Sequence, residues 1–195
     1  MNMKKFLLIY FFVFSSYTYS EEYQYEIDQS HFALGFLVEH AGYAKTLGMF
    51  RDISGSFVHD ESNNKVKNIK IIVQTSSVFT NHEKRDAHLR SPDFLNSDEY
   101  PEMIFTADEI KIQNKNASVD GNLTLLGITK PIKLEAKINK IAEYPFRSGL
   151  SKPMVMGVSA RGSFKRSDFG MMYAIKKDLV GDNIDLIIEF EARRN

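Results

Sequence analysis

Apolar and polar positions alternate with period two along most of the chain. Ile132, Leu134, Ala136 and Ile138 fall on one face, against Lys133, Glu135, Lys137 and Asn139 on the other. Ala117-Val119-Gly121-Leu123-Leu125, Ile184-Leu186-Ile188-Phe190-Ala192 and Ile69-Ile71-Val73 repeat the pattern against polar neighbours. A side chain turns to the opposite face at every residue of a strand, so each run predicts a half-buried strand. Further strands are predicted over Tyr23–Ile27, Phe32–Glu39, Ile53–His59, Met103–Ile112, Val155–Phe164 and, in short form, Met171–Lys176.

Turn-forming groups separate these runs, among them Asp60-Glu61-Ser62-Asn63-Asn64, Asn114-Lys115-Asn116 and Gly181-Asp182-Asn183. Many strands joined by short polar turns imply an all-β antiparallel fold, either a sandwich or a closed barrel.

One polar island breaks the pattern, from Thr80 to Ser91 (TNHEKRDAHLRS). It has charges and two histidines but no apolar stripe. Thr80-x-x-Glu83 has capping-box spacing and Ser91-Pro92 supplies a stop, so a short helix is predicted here. A second insert, Ala41–Gly48, is expected to be helical or a loop. Both inserts are placed to cover a barrel mouth.

The first residues have another character. Lys4-Lys5 precedes an apolar run of nine residues, Phe6–Phe14, and then the small-x-small triplet Thr18-Tyr19-Ser20. This reads as a secretory signal peptide over residues 1–20, cleaved between Ser20 and Glu21. The run is far short of the ~20 residues a spanning helix needs, so no stable membrane span is expected in the mature chain. Residues 21–195 then form one domain, exported and soluble, in the periplasm of a cell with two membranes.

Loss of Lys4 and Lys5 leaves 23 basic against 25 acidic side chains, a net charge of −2. No strong field favours nucleic acid. The chain has no cysteine, which removes disulfides, thiolate metal sites and a lipid-modified cysteine together.

The five histidines, His31, His40, His59, His82 and His88, lack the i, i+4 helical or i, i+2 strand spacing that brings two imidazoles together, so neither a metal nor a cofactor is expected. A hydrolase would need an activated nucleophile and an oxyanion hole, and no G-x-S-x-G is present. Gly55-Ser56 and Gly162-Ser163 sit in strands, where a serine is usually just a small, half-exposed residue. No catalytic residue is assigned; a secreted hydrolase on this scaffold stays as one alternative, and a barrel with a filled core in a structural or interaction role as the other. An outer-membrane barrel would share the alternation but should show aromatic girdles, and the chain has no tryptophan.

The island carries more than charge. Arg85-Asp86-x-His88-Leu89-Arg90-Ser91-x-Asp93-Phe94, then Tyr100-Pro101, and Gly121-x-Leu123-Thr124-x-x-Gly127-x-Thr129-Lys130-Pro131 resemble the YceI-like family of bacterial lipid-binding proteins. Further matches are Tyr25-x-Ile27-Asp28 with His31, Phe36-x-Val38-x-His40, Ser167-x-Phe169-Gly170 and Val180-Gly181-Asp182. Phe32 stands where the family commonly has serine, which lowers the weight on His31. Residues 142–153 lack a family pattern and are expected to be a variable loop.

The resemblance implies an antiparallel lipocalin-like barrel of about eight strands with one or two short helical inserts. Its interior would hold one long apolar ligand: a polyisoprenoid, a quinone, or a fatty-acyl or fatty-amide lipid. A homodimer is compatible with it. The lining candidates are Phe36, Phe50, Phe57, Phe105, Leu123 and Ile188; the head-group candidates are His40, Arg85, Asp86 and Lys130. Alternation alone does not separate an open interior from one filled by its own side chains, since both bury the same face.

Overall fold

A computed structural model describes residues 21–147, 149 and 151–195; the signal-peptide reading and Ser20 of the cleavage pair lie outside them. The alternating runs become strands β1 (Glu22–His40), β2 (Ala44–Phe50), β3 (Ile53–Asp60), β4 (Lys65–Gln74), β5 (Val78–Phe79), β6 (Glu102–Lys111), β7 (Asn116–Leu125), β8 (Ile128–Glu143), β9 (Met154–Lys165) and β10 (Val180–Arg194). The one α-helix among the described residues, α1 (Glu83–Arg90), follows β5. Neighbours run β10-β9-β8-β7-β6-β4-β3-β1, and β1 pairs back with β10 from Tyr25↔Arg194 to His40↔Val180, closing a barrel of eight long strands. Closure pairs every long strand on both sides and removes the free edges of an open sheet.

β1 joins two predicted strands into one of 19 residues, with a pairing irregularity between Ile27 and Phe32. Its first half pairs with β3 and its second with β2, so β2 and β3 together flank β1. The expected helix or loop at Ala41–Gly48 is therefore corrected. A tight turn at Ala41 and Gly42, both with positive φ, leads into β2, where Thr46, Gly48 and Phe50 face inward. The predicted strand at Met171–Lys176 is also corrected. Left-handed Ala174 and Asp178 flank a 3-10 turn over Ile175–Lys177, and no ladder survives such a backbone.

The helix forms where expected but is capped differently. Asn81 takes φ +60°, which stops Thr80 from leading into the helix, and the Arg85 amide donates instead to His82 Nδ1 at 3.2 Å. α1 and the following loop pack where β5, only two residues long, leaves the wall short, and they turn Leu89, Phe94 and Leu95 toward the interior. Backbone bonds from Leu95 to the Leu89 carbonyl and from Ser97 to the Arg90 carbonyl hold this loop.

The two ends of the barrel differ. One end, the mouth, carries α1, the β1–β2 turn, the β7–β8 turn and the segment from Arg166 to Val180. The other, the base, carries the polar turns of β3–β4 and β6–β7 and the C-terminal residues of β10. At the base Asp60 is fully buried and accepts from Lys67 Nζ at 2.8 Å and from Asn63. Lys67 also reaches Glu22 at 2.8 Å. The lysine hydrogen bond, followed by Asn63, holds the Asp60 carboxyl well below the usual carboxylate range, and the same contact raises Lys67.

Candidate functional site

The inward faces do not meet in the middle. They enclose a cavity of about 240 Å³, measured for the centre of a water molecule, with an accessible wall that is apolar throughout. Its inward residues on β10 run from Val180 to Phe190, which at ~3.3 Å per residue and a ~40° tilt is roughly 25 Å along the barrel axis. One water needs only ~10–15 Å³ on this measure, so the space is many waters in size. Water inside would find no hydrogen-bonding partner on the accessible wall, and a cavity of this chemistry suits an apolar chain instead.

Small residues keep the lumen open. An added Cβ on Gly48 would fall 2.2 Å from the Phe36 ring, and one on Gly121 would fall 2.4 Å from the Phe105 ring. Each phenyl group therefore lies flat along the wall, over the glycine of the neighbouring strand, rather than across the cavity. Phe36 and Phe50 pack with ring centroids 5.7 Å apart.

All six apolar candidates, Phe36, Phe50, Phe57, Phe105, Leu123 and Ile188, line this cavity. The four polar candidates do not. His40 and Lys130 are exposed on the strands at the mouth. Arg85 donates through Nε to Thr80 Oγ1 and through Nη2 to the Thr80 carbonyl, both at 2.7 Å, and buried Asp86 accepts from the Thr80 amide at 2.8 Å and hydroxyl at 2.5 Å. These two side chains fasten the start of α1 to β5. Neither side chain lines the barrel cavity.

Sequence reasoning missed Arg166, the one charged residue along the lining. Its position was legible in the register: Gly162 and Phe164 face inward, and two residues further the same face carries Arg166. It is 1% exposed and donates to four backbone carbonyls, Gly181 (2.7 Å), Met171, Tyr173 and Val180 (2.8 Å each). Burial pushes its pKa down, against the pull of Asp182. The guanidinium thus ties both ends of the Met171–Val180 segment to the end of β9.

At the base, Phe57 stacks on fully buried Tyr25 with centroids 5.5 Å apart. The Tyr25 hydroxyl and His59 Nδ1 are buried there without hydrogen-bond partners. Burial raises the Tyr25 pKa and lowers that of His59, which keeps both groups uncharged near neutral pH. Asp28, His31 and Glu191 bring three ligand-type atoms close together, but Arg193 donates to the same Asp28 Oδ2 at 2.8 Å, and a cation is a poor neighbour for a metal ion.

Comparison with known proteins fits this architecture. The YceI-like domain matches residues 25–192. Protein YceI of Escherichia coli is 37% identical over 172 residues, covering 87% of this chain and 85% of that protein. A UPF0312 protein of Pectobacterium carotovorum is 36% identical over 175 residues, covering 89% and 86%. Among solved structures, the Campylobacter jejuni YCEI protein superposes with a TM-score of 0.68 at 32% identity, over 80% of this chain and 90% of that one. A polyisoprenoid binding domain from Saccharophagus degradans gives 0.67 at 14% identity, over 88% and 98%, and shares the fold. An apolar cavity inside a closed antiparallel barrel, on a chain matched nearly end to end, places this protein in the YceI-like family.

Proposed function

We propose that the protein is an exported carrier that holds one long apolar molecule, a polyisoprenoid, a quinone or a fatty-acyl or fatty-amide lipid, inside its barrel. The observation that carries this reading is the elongated cavity with its wholly apolar wall. The name given to the Saccharophagus degradans domain points the same way. Phe36, Phe50, Phe57, Phe105, Leu123 and Ile188 are the proposed contacts for the tail.

The energetics favour a tail-driven binder. At ~0.8 kcal/mol per buried CH₂, a chain of roughly sixteen carbons gains on the order of 13 kcal/mol before the costs of association. No polar group inside is needed to reach useful affinity, which suits a wall where none is accessible. Head-group recognition, where it occurs, belongs at an end of the cavity.

Mass spectrometry of organic extracts from protein purified out of its native host tests this reading. A single class of long-chain lipid, near one per chain, is the expected result. Extracts without any such lipid, together with failure to take up added polyprenols, quinones and fatty amides, would remove it. Export is tested separately by N-terminal sequencing of the envelope fraction, which should begin at Glu21.

A further inference from the structure

The large apolar side chains left in solvent are not evenly spread. Tyr43, Leu47, Met49, Ile128, Met172, Tyr173 and Leu179 lie at or near the mouth, whereas Ile141 and Phe146 lie toward the base. The β6–β7 seam has only three paired positions and exposes no large apolar side chain, so it is not where the asymmetry points.

The mouth residues are drawn together by the backbone. The Ala41 amide donates to the Leu179 carbonyl at 3.0 Å, which sets the Tyr43 turn beside the Met171–Val180 segment. Arg166 pins both ends of that segment, while its middle is bonded to itself, through Asp178 to Ile175 and Leu179 to Ala174. Inward, the Tyr173 ring rests on His88 and Phe94, with centroids 5.0 and 5.1 Å apart. Outward, the segment shows Met172 and Leu179 with Lys176 and Lys177 between them. Neither lysine has a carboxylate partner among the described residues. The exposed charges from Lys165 to Gly181 are Lys165, Lys176 and Lys177 against Asp168 and Asp178, a small local positive excess.

We infer that the mouth is a membrane-docking surface that seats on an anionic lipid bilayer. Tyr43, Met172 and Leu179 enter the interfacial layer, and Lys176 and Lys177 lie among the acidic head groups. Apolar and aromatic side chains beside unpaired lysines are the chemistry of a surface that lies on a bilayer without crossing it. The surface surrounds the loop that closes the cavity, so a docked protein presents that loop to lipid rather than to water.

Two measurements test the surface apart from the cavity. The first is sedimentation of the envelope-purified protein with vesicles of phosphatidylcholine containing phosphatidylglycerol, and with vesicles of phosphatidylcholine alone. The protein should bind the anionic vesicles more tightly and lose affinity as salt is raised. At about tenfold per 1.4 kcal/mol and ~1 kcal/mol per lysine, Lys176→Gln with Lys177→Gln should weaken that binding by roughly 30-fold. Met172→Ser with Leu179→Ser should weaken binding to both vesicle types. These positions are exposed, so far-UV circular dichroism and lipid uptake from detergent micelles should be unchanged.

The second uses the absence of native tryptophan. Tyr43→Trp supplies a sole indole at an almost fully exposed proposed contact, and its emission should shift to the blue on anionic vesicles. No vesicle binding by the parent protein, binding indifferent to both pairs of substitutions, or loss of a dimer in the apolar pair without any vesicle binding would each overturn the inference. Loss of micelle-delivered uptake in the variants would overturn it too, because the residues would then belong to the cavity.

Discussion

The two ends of this barrel close by different chemistry. At the base, hairpin turns carry a buried carboxylate paired with lysine and asparagine, and an aromatic stack of Tyr25 on Phe57 lies beneath the cavity. At the mouth, closure depends on one guanidinium holding four carbonyls and on the contacts of Tyr173 with His88 and Phe94, while large apolar side chains remain in solvent. The base is tied strand to strand, and the mouth is covered by segments outside the ladder. The base thus spreads its closure over paired strands, whereas the mouth concentrates it on one buried side chain.

Breaking the mouth should have the largest effect. Arg166→Met leaves four carbonyls without their donor and is expected to cost roughly 3 kcal/mol or more. Urea unfolding measures the loss. A cost below about 1 kcal/mol would show that the clasp is dispensable and the proposed division of labour wrong.

Filling the lumen should separate binding from folding. Gly48→Val drives the Phe36 ring inward, and Gly121→Val does the same to Phe105. Each is expected to destabilise by about 1–3 kcal/mol through overpacking and to lower long-chain lipid uptake at least tenfold. Titration with a polyprenol, compared between variant and parent, checks this.

Arg85→Ala removes two hydrogen bonds to Thr80 and should cost about 1 kcal/mol, with lipid affinity unchanged. Weakened affinity for ligands of one head group only would return Arg85 to the binding site.

The smallest expected effect distinguishes the base by pH. Burial depresses the His59 pKa, while the unfolded residue protonates near ~6.5. Between those two values the unfolded chain holds more protons, so this contribution is complete above about pH 6.5 and is lost as pH falls toward the folded value. His59→Gln should flatten that part of the stability profile, read by thermal unfolding from pH 8 to 5. The depressed carboxylate of Asp60 acts in a lower window, below ~4, and leaves this range unaffected.

Much of the wall was legible in the sequence because period two fixes which side chains point inward. Phe57, Leu123 and Ile188 could be placed on the lining face before any pairing was known. What was not legible depended on local backbone or on long-range partners. The strand Ala44–Phe50 was hidden by the Ala41-Gly42 turn, and the short apolar run Met171–Lys176 reads as a strand yet is broken by left-handed Ala174. The bonds of Arg85 and Asp86 to Thr80 were not legible, because Thr80 is brought to them only once Asn81 reverses the chain. Arg166 escaped notice for the opposite reason. Its partners are backbone carbonyls, which no side-chain motif announces.

The most direct test of the carrier reading is native mass spectrometry of delipidated protein titrated with a long-chain polyprenol, run in parallel on the parent chain and on Gly48→Val. The account predicts that the parent gains the mass of one lipid per chain, saturably, and that the variant remains folded and nearly empty. A parent that gains no lipid mass, or a variant that loads as well as the parent, would contradict the claim that the barrel interior is the binding site.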